Sequence, residues 1–176
     1  MNVDGHIKSI EETVGYVFRN KPLCAEALQM KEPHCPLLID GVLHLVNKNR
    51  DLELVGDAVL DEALVKKWYE ARDYLGERHN LAAWTQMRTD LVSNEKLAER
   101  GFRLGLDKLI IKNLGMRTPS KDMVANTFEA IIGAICMDAG TNSSEAVRRA
   151  LERMGFFDHP LITGPSDVQP TDDILD

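Results

Sequence analysis

Over residues 51–60 the chain reads DLELVGDAVL, with Leu52, Val55, Val59 and Leu60 on apolar faces of a predicted helix. Glu53 and Asp57 stand four residues apart, one turn of that helix, and so share a face. A second stretch, residues 121–140, reads KDMVANTFEAIIGAICMDAG. There Ala125, Phe128, Ile131, Ile132 and Ile135 give helical periodicity, and Asp122, Asn126 and Glu129 form one polar stripe. Each stretch carries an internal glycine, Gly56 and Gly133. Glycine inside a helix costs about 1 kcal/mol against alanine, so it marks close approach of another backbone. Two such helices can place carboxylates around a shared cation. Read alone, the same acids also fit a solvated face, or in the case of Glu129 a pairing with an arginine.

The same patterning predicts the other elements. Ile7, Ile10, Val14 and Val17 predict a helix over 6–18, and Pro22 opens another over 22–30. The acidic helix is expected to run on through Leu64, Trp68 and Tyr69 to about Tyr74, closed by Gly76. A long helix is expected over 81–100, closed by Gly101, with Leu81, Trp84, Met87, Leu91 and Leu97 as its core. Ser120 reads as the cap of the second acidic helix, and Ser143 as the cap of a last helix over 143–154. Residues 31–40, with Pro33 and Pro36, read as a loop or broken connection, and the whole 31–49 segment has no assigned role. His34 and His44 within it read more readily as structural than as ligands.

The 176 residues suit one domain with a short extension, and 44% apolar residues suffice for a core. The expected division is a domain at 1–157 and an acidic, disordered tail at 158–176, with no further RNA-binding domain after it. No run of 18 apolar residues occurs, so no membrane segment is expected. The N-terminus lacks a basic region followed by an apolar stretch, which makes an intracellular chain the expectation and leaves cytoplasm, nucleus and mitochondrion open. Cys24, Cys35 and Cys136 are too scattered for a disulfide framework or zinc site and read as reduced thiols. No nucleophile triad is visible, and no small-molecule cofactor is expected. The net charge of −7 argues against a nucleic-acid binder, but it is uneven. Asp158, Asp167, Asp172, Asp173 and Asp176 stand in the tail without a lysine or arginine, and Lys108, Lys112, Arg117 and Lys121 cluster near the second acidic helix. Local bases and a bound metal can still create a phosphate-binding surface.

Four blocks carry a family resemblance. LELVGDAVL resembles the signature of ribonuclease III domains, and VANTFEAIIGAICMDAG resembles their second conserved block. IEETVGYVFRNKPLCAEAL and MRTDLVSNEKLAERGFRLGLDKLI resemble the first helix and the middle of that domain, and all four occur in the family's order. The resemblance implies an all-α, homodimeric endonuclease domain that cleaves double-stranded RNA with Mg²⁺, or Mn²⁺ in its place. It implies catalytic and metal-ligating roles for Glu53, Asp57, Asn126 and Glu129, with Asp122 or Asp61 available as further acids. It also implies substrate contacts at Arg88 and Asn94, and a dimer contact at Leu54, where many members carry an aromatic residue. Lys121 is expected to join the substrate contacts from the cluster of bases near the second acidic helix.

The departures from the family matter as much. Arg50 stands where the signature opens with glutamate, and Asn126 stands where the second block has aspartate. LAAWTQ replaces a segment that often carries an auxiliary acid. Asparagine can ligate magnesium through its carbonyl but brings no charge and no base. The alternative is a catalytically inactive dimer that binds RNA or serves as a structural protein of the mitochondrial ribosome, as some relatives do.

Overall fold

The structure is a computed structural model that describes residues 1–164. The expectation of a disordered tail falls, from residue 165 onward, outside the described residues. The order of elements is α1 (Asp4–Val14), α2 (Lys21–Leu28), β1 (Cys35–Ile39), β2 (Val42–Val46), α3 (Arg50–Glu70), α4 (Leu81–Val92), α5 (Asn94–Arg103), α6 (Lys121–Ala139), α7 (Ser143–Arg153) and α8 (Pro160–Thr163). The fold is helical, as expected, with one antiparallel hairpin.

α6 is the centre of the core. Val124, Ala125, Phe128, Ala130, Ile131, Ile132, Ala134 and Ile135 are all buried, and α2, α3, α5 and α7 pack around them. A window within Lys121–Arg153 is long and apolar enough to cross a membrane, yet 67% of it is buried inside the fold. The three cysteines are free thiols, Cys24 fully buried. Near the end of α6, Asp138 accepts hydrogen bonds from Tyr16 Oη (2.7 Å), the Arg19 amide (2.9 Å) and the Asn20 amide (2.8 Å). Burial works against its ionisation, and these bonds outweigh it and hold the carboxyl below its usual range. Asp138→Ala leaves three part-buried donors without their partner, and urea denaturation is expected to show a loss of about 1–2 kcal/mol.

The sequence-based boundaries shift in several places, each for a local reason. α1 stops at Val14 because Gly15 turns left-handed (φ 69°) and returns its N–H to Glu11 O. Val17 therefore points outward, 73% exposed, instead of extending the apolar stripe. The expected loop over 31–40 holds only to His34: from Cys35 the chain is a strand, and Asp40 (φ 48°) and Gly41 (φ 77°) form a two-residue turn that pairs β1 with β2 from Cys35↔Val46 to Ile39↔Val42. α3 ends at Glu70 because Ala71 is extended and Asp73 Oδ1 accepts from the Leu75 and Glu77 amides, so Gly76 belongs to that turn. The expected helix over 81–100 is two helices broken at the extended Ser93. Gly101 lies inside α5 against Val124, and Leu81 is exposed. Ser143 is the first residue of α7 and not its cap, which is Asn142. The folded part also continues past residue 157, since α8 follows and His159 Nε2 meets Asp90 Oδ2 at 3.3 Å.

Candidate active site

α3 and α6 cross at the two glycines. A Cβ on Gly56 would overlap the carbonyl oxygen of Glu129, and one on Gly133 would overlap that of Leu52. Gly56 thus meets Glu129 while Gly133 meets Leu52, so the helices run antiparallel in backbone contact. This contact brings the acids of α3 beside the polar stripe of α6. The start of α3 is fixed from below. Buried Asn49 donates from its amide to Gln29 O (3.0 Å) and from Nδ2 to Ala27 O (3.3 Å), and its own carbonyl accepts from Glu53 N (2.8 Å). The Ser120 hydroxyl accepts from Met123 N at 3.2 Å and caps α6, as its sequence suggests.

The result is an open pocket of about 440 Å³ lined by Arg50, Asp51, Glu53, Leu54, Asp57, Asn94, Asn126 and Glu129. Glu129 is only 7% exposed. Its burial first, then the charges of Asp57 and Glu53, push its carboxyl up to about 7. No base contributes to that shift. The carboxylates surround the pocket without three of them closing on one point among the described residues. Like charges spread in this way until a cation draws them together. Three carboxylates and a carboxamide carbonyl, with no sulfur or imidazole, are the donor set of a hard divalent ion such as Mg²⁺. The residues present therefore fit that ion.

The raised carboxyl has a consequence for pH. Glu129 binds a proton more tightly folded than unfolded, so its contribution to stability is complete below about pH 4.5 and is lost as the pH rises through about 7. In chelator, the difference in stability between the wild type and Glu129→Gln is expected to change across this window in favour of the variant. A difference that stays flat from pH 4.5 to 7.5 would contradict the burial described.

The structure sorts the remaining residues. Asn94, at the start of α5, lines the pocket, and so does Asp51, which sequence reasoning missed because it stands outside the Glu53–Asp57 spacing. Asp122 does not line it. It is exposed in the first turn of α6, about 6 Å along the axis before Asn126, and the crossing at Gly133 leaves it beyond the carboxylates. Asp61 is also outside, held by Arg88 through bonds of 3.1 and 2.9 Å. In this structure Arg88 is thus the partner of an acid rather than a free cation, and Lys121 is exposed with its Nζ 3.4 Å from Glu95. Arg50 shares the pocket with the acids and makes no salt bridge among the described residues. Leu54 is 72% exposed at the pocket edge.

The chain is similar to known proteins in sequence and in fold. The chain matches the Ribonuclease III domain over residues 50–140, a little over half its length. It is 32% identical over 142 residues to Ribonuclease 3 of Bdellovibrio bacteriovorus, covering 78% of this chain and 57% of the relative. It is 33% identical over 144 residues to Ribonuclease 3 of Nitratiruptor sp., covering 76% and 55%. The chain thus spans a little over half the length of these relatives. Among solved structures, it superposes on the nuclease domain of ribonuclease III from Campylobacter jejuni with a TM-score of 0.68 at 24% identity, over 85% of this chain and 96% of that one.

Proposed function

The chain belongs to the ribonuclease III domain family, and from that premise we propose that it is a divalent-metal-dependent endoribonuclease. It cuts double-stranded RNA by in-line hydrolysis, leaving 5′ phosphates and short 3′ overhangs. The observation that carries this reading is the convergence of Glu53, Asp57, Asn126 and Glu129 on one pocket, with Glu129 buried and unmatched by a base. These four residues would hold the cation. Bound there, it supplies Lewis-acid polarisation of the phosphate and acidification of the attacking water. The rest falls to the chain itself. Glu129, pushed up to about 7, holds a proton below neutral pH and would be a full ligand only once it has given it up. Asn126 offers its carbonyl but can neither carry charge nor take a proton. Arg50 offers paired N–H donors to phosphate oxygens, and Asn94 a neutral donor on the same wall. Recognition would rest on duplex shape and 2′-hydroxyls, with little sequence reading.

The working form is a homodimer. Leu54, Ala58, Val65 and Tyr69 are exposed along α3, Leu54 at the pocket edge, and a second copy would cover them and set two pockets side by side. The Campylobacter nuclease domain is described as having a region involved in dimer formation. Work on RNA implies an intracellular location.

Arg50 and Asn126 favour a second reading, an RNA-binding or ribosome-associated dimer without cleavage. Both weaken the pocket's negative charge. The two readings part on magnesium. A functional centre gains thermal stability with millimolar Mg²⁺ or Mn²⁺, and a solvated acidic face does not. Asn126→Asp restores one charge. It is expected to lower the Mg²⁺ concentration for half-maximal stabilisation and to raise the cleavage rate about tenfold, roughly 1.4 kcal/mol. An unchanged or slower rate would show that the centre is not short of charge.

A further inference from the structure

A second polar cleft, of about 440 Å³, lies between α5 and the end of α7 and shares no lining residue with the candidate active site. Arg100, Arg103, Arg153, Met154, Gly155 and Asp158 line it. Arg100 stands about 9 Å along α5 from Asn94.

Arg100 is an unusual occupant of its position. Leu97, Ala98 and Gly101 beside it are core residues, and Arg100 itself is only 7% exposed. Its Nη2 makes two long bonds, 3.4 Å each, to the carbonyls of Gly155 and Phe156, and its guanidinium stacks on the Phe156 ring at 5.0 Å. Its Nε and Nη1 are buried and have no hydrogen-bond partner among the described residues. No carboxylate forms a salt bridge with it there. A leucine would fill this site without the cost of burying a charge, and a buried guanidinium with unmatched donors is costly until an anion meets it. The neighbours also favour an anion. Arg103 is exposed and unpaired among the described residues. Arg153 lines the cleft with its charge, while its Nε and Nη2 already donate to Glu12 O of α1 at 3.2 and 2.9 Å, which leaves Nη1 for a ligand. Among the described residues Asp158 is the only acid lining the cleft, which leaves a surplus of two positive charges over those lining residues.

We propose that Arg100, Arg103 and Arg153 form a binding site for a phosphate dianion, carried as inorganic phosphate or as the monoester end of a nucleic acid strand. Two surplus positive charges match a dianion, and the guanidinium fork matches its oxygens. Asp158 competes with the ligand and sets its affinity. This site does not depend on the chain being a nuclease.

The test is thermal unfolding of the whole chain in potassium phosphate against potassium chloride of equal ionic strength. At ten times the dissociation constant, phosphate is expected to raise Tm by about 3–5 °C. Arg103→Ala, a surface change, is expected to leave Tm in chloride unchanged and to remove the phosphate response. Asp158→Asn is expected to enlarge that response, and Arg100→Met to abolish it without lowering Tm in chloride. If Arg100→Met does not fold, the other two variants carry the test. Short RNA duplexes with 5′-phosphate or 5′-hydroxyl ends identify the source. Tighter binding of the phosphorylated duplex, lost in Arg103→Ala, assigns the site to a strand end, and equal binding assigns it to free phosphate. A wild type that ignores phosphate, or an Arg103→Ala variant that responds as the wild type does, overturns the proposal. So does an Asp158→Asn variant with a weaker response, which would make Asp158 the structural partner of Arg100.

Discussion

Gly56→Ala is expected to cost about 3–4 kcal/mol of stability and to disable the pocket at the same time. The added methyl would overlap a backbone carbonyl, that of Glu129, and no side-chain rotation can relieve it. α3 and α6 must separate, and their separation moves Glu53 and Asp57 away from Asn126 and Glu129. Gly133→Ala is expected to act in the same way from the other helix, against Leu52 O. The contrast lies in Gly101, where the obstruction is the Val124 side chain, and in Gly5, where nothing lies within 4 Å. Alanine at Gly101 should cost less, and alanine at Gly5 should be neutral or slightly stabilising. Urea denaturation of the four variants checks the order. Equal losses at all four would show that the helices do not meet at their glycines.

Glu129→Gln carries the largest expected effect on activity. It keeps the shape of the side chain and removes the one carboxylate that is buried between Asp57 and Glu53. Without it, the acids of α3 face solvent, and the proposed divalent ion would keep only the neutral Asn126 from α6. Lewis-acid assistance is worth several kcal/mol, so the expected loss in cleavage rate is about 10³-fold or more. The folded state without metal is not expected to suffer at neutral pH, because a buried carboxyl pushed up to about 7 is replaced by a neutral amide. Loss of cleavage together with loss of Mg²⁺-dependent stabilisation, in a variant of normal stability, would place the ion at Glu129. Retained cleavage would move the centre elsewhere.

Much of the site was legible in the sequence because local rules and tertiary packing agree there. The four-residue spacing of Glu53 and Asp57, the stripe of Asn126 and Glu129, and the two glycines are each local signals. The structure joins them by a single backbone crossing. Asp122 shows where the periodicity argument ends. It shares a stripe with Asn126, but a stripe continues along a helix after its neighbour has diverged, and only the crossing point decides which members face the pocket. The hairpin replaces an expected loop although its signal is local: Asp40-Gly41 between apolar runs favours a tight turn, while Pro33 and Pro36 beside it favour irregular chain. Pro36 is tolerated because it lies on a short two-stranded ribbon. The break at Ser93 carried no comparable warning, since the apolar spacing on either side of it reads as one helix. Arg100 was hidden for the opposite reason: on sequence alone an arginine in a helix reads as surface, and only its burial among Leu97, Ala98 and Gly101 shows otherwise.

The most direct test of the proposed centre is incubation of the purified chain with long duplex RNA, with and without Mg²⁺ or Mn²⁺, beside Glu129→Gln. The account predicts metal-dependent shortening into duplex pieces with 5′ phosphates and short 3′ overhangs, lost in the variant. A folded chain that leaves the duplex intact with either metal would contradict it, and would leave an RNA-binding or structural dimer built on the same helices.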